Sequence, residues 1–155
     1  MTVENRIRYR RGLKYQLEED VVFHTGITGW AYRDKWSELD NAGTLLIRAG
    51  TAWDGPSGPT FDTPDFMPAS LGHDEMYKAS TERGYPEVFR QLADNFLAWR
   101  LKEDAKIVNA RIKNPVLRAL RCTWSVARVR YVLWAVRRFA ASHAKRQEPE
   151  ILEAP

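Results

Sequence analysis

The stretch Leu71-Gly72-His73-Asp74-Glu75-Met76-Tyr77 sets an imidazole beside a carboxylate, with a phenol one helical turn on. A second stretch, Thr51-Ala52-Trp53-Asp54-Gly55-Pro56-Ser57-Gly58, carries one carboxylate in a tight loop. A third, Ala93-Asp94-Asn95-Phe96-Leu97, offers a further aspartate. Adjacent side chains on a helix diverge by about 100°. His73 and Asp74 would therefore face two parts of one site, Asp74 holding a metal while His73 activates a nearby water. Calcium suits such donors, since it takes about six to eight oxygens, and a Gly-Pro-rich loop supplies carbonyls beside the Asp54 carboxylate. A second, antiparallel helix would present Asp94 to the other nitrogen of His73 and fix the ring's tautomer and orientation. Tyr77 would give its hydroxyl to the same aspartate. The chemistry is ester hydrolysis, with water deprotonated by His73 and the oxyanion held by metal and loop N–H groups. The same residues also read as an ordinary loop and two polar helix faces, because a buried His bonded to an Asp is often structural.

The elements that must position these groups are legible in outline. Residues 13–17 and 21–25 are strand-like, and the acidic Glu18-Glu19-Asp20 between them predicts a hairpin. Residues 30–39 are ambiguous and include a short turn of helix among their readings. Asp40-Asn41-Ala42-Gly43 is a turn, with Asn and Gly expected to supply positive φ angles. Residues 44–49 form a strand, and 54–68 a Pro/Gly-rich loop long enough to be functional. Pro68 suits the first turn of a helix running to about residue 81. Pro86-Glu87 opens a second helix, whose apolar side holds Val88, Phe89, Leu92, Phe96, Trp99 and Leu101. Residues 105–113 either continue it or form a link. Asn114-Pro115 then caps and starts a long helix to about residue 143. Leu117, Leu120, Trp124, Ala127, Tyr131, Trp134, Val136 and Phe139 recur on it at a 3.6 period, with arginines occupying the remainder. Trp99, Trp124 and Trp134 are expected in the core, as is Cys122. Trp53 would line a lipid mouth or cap the core. Asp65 would help begin the first helix or, with Asp62, add calcium ligands. His24 and His143 have no neighbours at ligand spacing and are read as incidental.

These elements make one domain over residues 1–146, with 147–155 as a disordered tail: an α+β, helix-dominated fold. An N-terminal antiparallel β element packs on two antiparallel helices that carry the His-Asp pair and Asp94, and a long basic helix closes it. One cysteine excludes an internal disulfide. The start, Met1-Thr2-Val3-Glu4-Asn5-Arg6, is followed by no apolar run, so no signal peptide is expected. No stretch has the length of a membrane span. Net charge is +4, and its distribution is uneven: sixteen of the twenty acids lie between Glu18 and Asp104. From 105 to 147 there are eleven Lys and Arg and no acid, and Arg6, Arg8, Arg10, Arg11 and Lys14 make the first arm basic as well. Cationic ends favour phosphates, an anionic lipid surface or an acidic partner, against the plain alternative of a solvated helix face. Nucleic acid rests on charge alone and is not the expected partner.

At these residues the chain resembles a small phage- and prophage-associated family of unknown function. The resemblance is carried by the strand leading to Asp54-Gly55-Pro56-Ser57, by His73-Asp74-x-x-Tyr77, by Ala93-Asp94-x-x-Leu97 and by Tyr131-x-x-Trp134-Ala135-Val136-Arg137-x-Phe139. The layout is also similar to the prokaryotic branch of secreted phospholipase A2. The resemblance implies His73 as general base, Asp74 and Asp54 as calcium ligands with the Gly55 carbonyl beside them, and Tyr77 and Asp94 as holders of the histidine. It implies a phospholipid sn-2 ester as substrate, cut to a fatty acid and a lysophospholipid. Pro56 and Pro59 in the loop, the inserted basic stretch 105–114, the single cysteine and the missing signal peptide depart from that branch. The expected location is the host cytoplasm or a virion, peripheral to the membrane. The rival expectation is a non-enzymatic virion or accessory protein that docks on phage structural proteins.

Overall fold

The computed structural model describes residues 9–10, 15–55 and 63–144, with side chains over 15–55 and 63–138. Loop residues 56–62 and the tail after residue 144 lie outside the described residues, as do the side chains of the basic arm, Phe139 and His143. Seven strands come first: β1 (Tyr9–Arg10), β2 (Tyr15–Leu17), β3 (Val21–His24), β4 (Tyr32–Arg33), β5 (Ser37–Leu39), β6 (Thr44–Ile47) and β7 (Ala52–Trp53). Three helices follow: α1 (Met67–Arg83), α2 (Glu87–Ala110) and α3 (Pro115–Ala144). The architecture is α+β, as expected, with two small antiparallel sheets ordered β1-β2-β7 and β3-β6-β5-β4.

The sheets differ from the expected hairpin. Strands at 15–17 and 21–24 form, but β2 pairs with β1 and β7, while β3 pairs with β6. The acidic corner between them carries the chain from one sheet to the other, and the Asp20 carboxylate accepts the Ala49 N–H across it. Residues 30–39 are strands β4 and β5, not a turn of helix. Asp34 decides this, since its Oδ1 accepts the Trp36 and Ser37 N–H groups at 2.8 and 2.7 Å and closes a tight turn. The turn at 40–43 is present, but only Gly43 has a positive φ there, and the Asp40 carboxylate does the rest by accepting from Ala42 and Thr44.

Alternation along β3 and β6 turns Val21, Phe23, Leu45 and Ile47 inward. That face covers α1 and α2, where Leu71, Met76, Ala79, Phe89 and Phe96 complete the core. The basic stretch after residue 104 is helix, so α2 is one continuous element to Ala110. Asn114 caps α3 through the Val116 and Leu117 N–H groups, as its sequence predicts.

The long basic helix closes the fold with its expected faces reversed. Leu117, Leu120, Trp124, Tyr131 and Trp134 are exposed, as is Cys122. The inward side carries Arg121, Ser125, Arg128, the buried Ala135, and Val129, Val132 and Val136, which meet Phe66, Ala69, Leu97 and Leu101. Buried acid explains the reversal. Asp65, at the start of α1, is 5% exposed and faces Arg128 at 3.5 Å and Arg121 at 3.8 Å. A desolvated carboxylate needs a cation, and α3 turns its arginines to it. Asp65 thus joins α1 to α3 rather than capping α1, whose first turn has no side-chain cap. On α2, Trp99 and Val88 are also exposed, so none of Trp99, Trp124 and Trp134 sits in the core.

Leu101→Ala should therefore cost about 2–5 kcal/mol by cavity formation. Trp124→Gln should change stability by less than about 0.5 kcal/mol. Urea denaturation of the two variants checks both.

Candidate functional site

Helix α1 begins with Met67 and Pro68 in its first turn, where a missing proline N–H removes no intrahelical bond. It ends at Gly84, which takes the left-handed conformation (φ 63°) and returns its N–H to Ser80 and Thr81. Two residues later Pro86 stands as the N-cap of α2, so the chain folds back at once. The pairs that then meet, Gly72 with Phe96 and both His73 and Tyr77 with Asp94, run antiparallel.

Gly72 sets how close the two helices come. A Cβ there would lie 2.6 Å from Cε1 of Phe96, which is itself buried and held edge-on by Phe23 at 5.9 Å between ring centres. Only hydrogen fits in that space. One residue on, His73 Nε2 lies 3.0 Å from Asp94 Oδ1. The Tyr77 hydroxyl donates to the same oxygen at 2.6 Å. The His73 and Tyr77 rings lie 4.2 Å apart between centres, one turn from each other on α1. Both contacts anticipated for Asp94 are thus present.

On its other edge, His73 Nδ1 faces Asp74 Oδ1 at 3.5 Å. The imidazole and Asp94 are buried, while the Asp74 side chain is 23% exposed, so the Nδ1 edge is the one nearer solvent. Burial pulls the imidazole's pKa down, but hydrogen bonding and charge from Asp74 and Asp94 outweigh it and hold the value above the usual 6.5. Burial, then Asp94, pushes the Tyr77 hydroxyl far above its ordinary range, so it stays a proton donor to the carboxylate.

The loop strand runs along the helix that carries His73. Trp53 is buried; its indole Nε1–H donates to Ser70 Oγ at 3.3 Å and its ring meets Tyr15 at 5.6 Å. Lys78 Nζ donates to the Ala52 carbonyl at 3.2 Å. These two bonds lay β7 along α1, one below and one above His73. Trp53 caps the core. Asp54 follows it and is exposed, and Gly55 is buried with φ 79°. Asp54 and Gly55 therefore open the loop next to α1, while 56–62 lie outside the described residues. Among the described residues no group of three or more His, Cys, Asp or Glu is arranged to hold a metal ion. Asp74, Asp54 and the Gly55 carbonyl by themselves do not make the cage of about six to eight oxygens that calcium requires.

A second buried acid lies on the sheet side of α1. Glu75 is 3% exposed, pairs with Lys78 at 2.5 Å, and is raised in pKa by burial against the opposing effect of that lysine. Gly72, Ser70 and the Glu75–Lys78 pair are not among the residues that motif spacing points to. A glycine inside a helix before the His-Asp pair was the available signal for close packing; Ser70 gave none.

No family model, no curated protein and no solved structure matches this chain. Among the described residues no helix is long and apolar enough to cross a membrane.

Gly72→Ala should cost about 1–3 kcal/mol by overpacking Phe96. It should also lengthen the His73–Asp94 contact, which imidazole proton NMR would register. The raised pKa of His73 has a definite sign in stability. The folded state holds that proton more tightly than the unfolded chain, so the contribution is complete below about pH 6.5 and lost as pH rises through the folded value. Urea midpoints across neutral pH, compared between the native chain and His73→Asn, check it.

Proposed function

We propose that this chain is a phospholipase A2-like protein of phage or prophage origin that hydrolyses a phospholipid sn-2 ester, with His73 as general base. The observation that carries the reading is the Asp94 carboxylate bonded to His73 Nε2 with Tyr77 on the same oxygen. With Nε2–H given to Asp94, the lone pair of the neutral ring lies on Nδ1, at the edge beside Asp74. A water there would lose its proton to Nδ1 as its oxygen attacks the ester carbonyl. Asp94 then steadies the imidazolium, and Tyr77 keeps Asp94 from turning. On collapse of the tetrahedral intermediate, Nδ1–H returns the proton to the departing alkoxide, leaving a fatty acid and a lysophospholipid.

Calcium belongs to this reading as a proposal on Asp54, Gly55 and Asp74, where it would supply positive charge beside the developing oxyanion. The described donors do not form its cage, and no step above runs through it. The location that goes with the reading is peripheral to a host membrane or within a virion.

One observation favours the rival, a non-enzymatic virion or accessory module. His73 is 7% exposed, and a carboxylate stands against each of its ring nitrogens. Such an imidazole also serves as a pin between two helices.

Fatty-acid release from phospholipid vesicles separates the two. The esterase reading expects release that His73→Ala lowers by about a hundredfold or more and that Tyr77→Phe lowers far less. The rate should rise with pH, with an inflection above the ordinary histidine value, and Asp74→Asn should move that inflection down. Calorimetric titration should show calcium binding that Asp74→Asn removes. No release by the folded chain at any calcium concentration would leave the docking module.

A further inference from the structure

The outer side of α3 is the largest feature that the proposed chemistry does not use. Val116, Leu120, Trp124, Tyr131 and Trp134 are between 40% and 66% exposed. With the exposed Ala127 they follow one another in steps of four, four, three, four and three residues, a seam along one side of the helix. Eighteen rises of 1.5 Å make the seam about 27 Å long. The helix contains six arginines and no aspartate, glutamate or lysine. Arg121 and Arg128 turn inward to Asp65, and Arg137 binds Asn95. Arg130 and Arg138 remain exposed beside the seam, while Arg118 is exposed on the opposite side of the helix.

We propose that this face is a docking surface for an anionic phospholipid bilayer, with α3 lying in the plane of the membrane. Leu120, Trp124 and Tyr131 enter the boundary between headgroups and acyl chains, and Arg130 and Arg138 meet lipid phosphates. Three observations choose this occupant. Charge selects an anionic surface, and a second copy of the helix would set arginine against arginine with no acid on either side. Val116 and Leu120 are aliphatic and give a nucleic acid nothing to stack on, whereas acyl chains accept them. Tryptophan and tyrosine are the side chains that settle at headgroup depth, apolar ring inward and polar edge outward. The inference goes beyond the esterase reading and does not need it, because none of these residues touches His73 or Asp94.

The test is co-sedimentation of the full chain with vesicles of phosphatidylcholine, with or without phosphatidylglycerol. Binding to the anionic vesicles is expected, with weak binding to the neutral ones and release as salt rises. The double variant Leu120→Gln/Trp124→Gln should lose about tenfold or more in partitioning while keeping its helical circular dichroism. Trp99→Gln, an exposed tryptophan on α2, should bind as the native chain does. His73→Ala should also bind, which separates this inference from the failure of the esterase reading. Absence of sedimentation with anionic vesicles, or equal binding by the double variant, would overturn it. So would a dimer that the double variant converts to monomer, since a second copy would then cover the face. Tighter binding to a single-stranded oligonucleotide than to the anionic vesicles, lost in the same variant, would overturn it as well.

Discussion

Asp94 places a carboxylate between two packed helices, 2% exposed, where water cannot solvate it. A charge so placed requires donors close by, and the two that reach it both come from α1. That requirement ties the register of α1 against α2 to the positions of His73 and Tyr77. It also needs the helix axes to approach closely, which Gly72 permits by leaving room for the Phe96 ring. Apolar packing alone would tolerate a slide of one helix along the other; a shared carboxylate oxygen does not. The β-sheets then press Phe23 and its neighbours onto the pair from one side.

The same logic governs the third helix. Asp65 and Asp104 are buried near the junction of α1, α2 and α3. Asp104 has the Arg100 guanidinium on both its oxygens at 2.9 Å, and burial still pushes its carboxyl up to about 6. Asp65 takes its cations from α3. An aromatic seam facing inward would have left that acid without its arginines, so the polar demand outweighs the apolar one. The cost is a row of large apolar side chains in contact with water, tolerable for a helix anchored by Val132, Val136 and ion pairs. It leaves a surface of unusual chemistry available for a partner.

In the proposed function one network would serve two ends. A His–Asp–Tyr cluster that fixes two helices is also one that orients an imidazole, holds its tautomer and steadies its charged form. Rigidity at the Nε2 edge would favour the proposed proton transfer at Nδ1, so the structural role and the proposed chemical one would not compete there. What distinguishes them is the outer edge, where Asp74 and the strand leading to Asp54 meet α1. The β7 bonds to Ser70 and Lys78 lay that strand along α1, on the face that carries Asp74.

By itself the sequence determined the elements that rest on local rules. Helix starts at Pro68, Pro86 and Asn114, the stop at Gly84, the turn at Asp40 and the strand that follows it come from caps, fixed φ angles and alternation. The meeting of His73, Tyr77 and Asp94 was also legible, because i, i+4 spacing and a short antiparallel return leave few other places for those side chains. Tertiary structure alone decided the partners of β2 and β3, the strand form of residues 30–39 and the outward turn of Trp99, Trp124 and Trp134. A 3.6-residue period shows that a helix has two faces, not which one is buried. That choice belonged to Asp65, far away along the chain, whose buried charge had to be matched before any tryptophan could be sheltered.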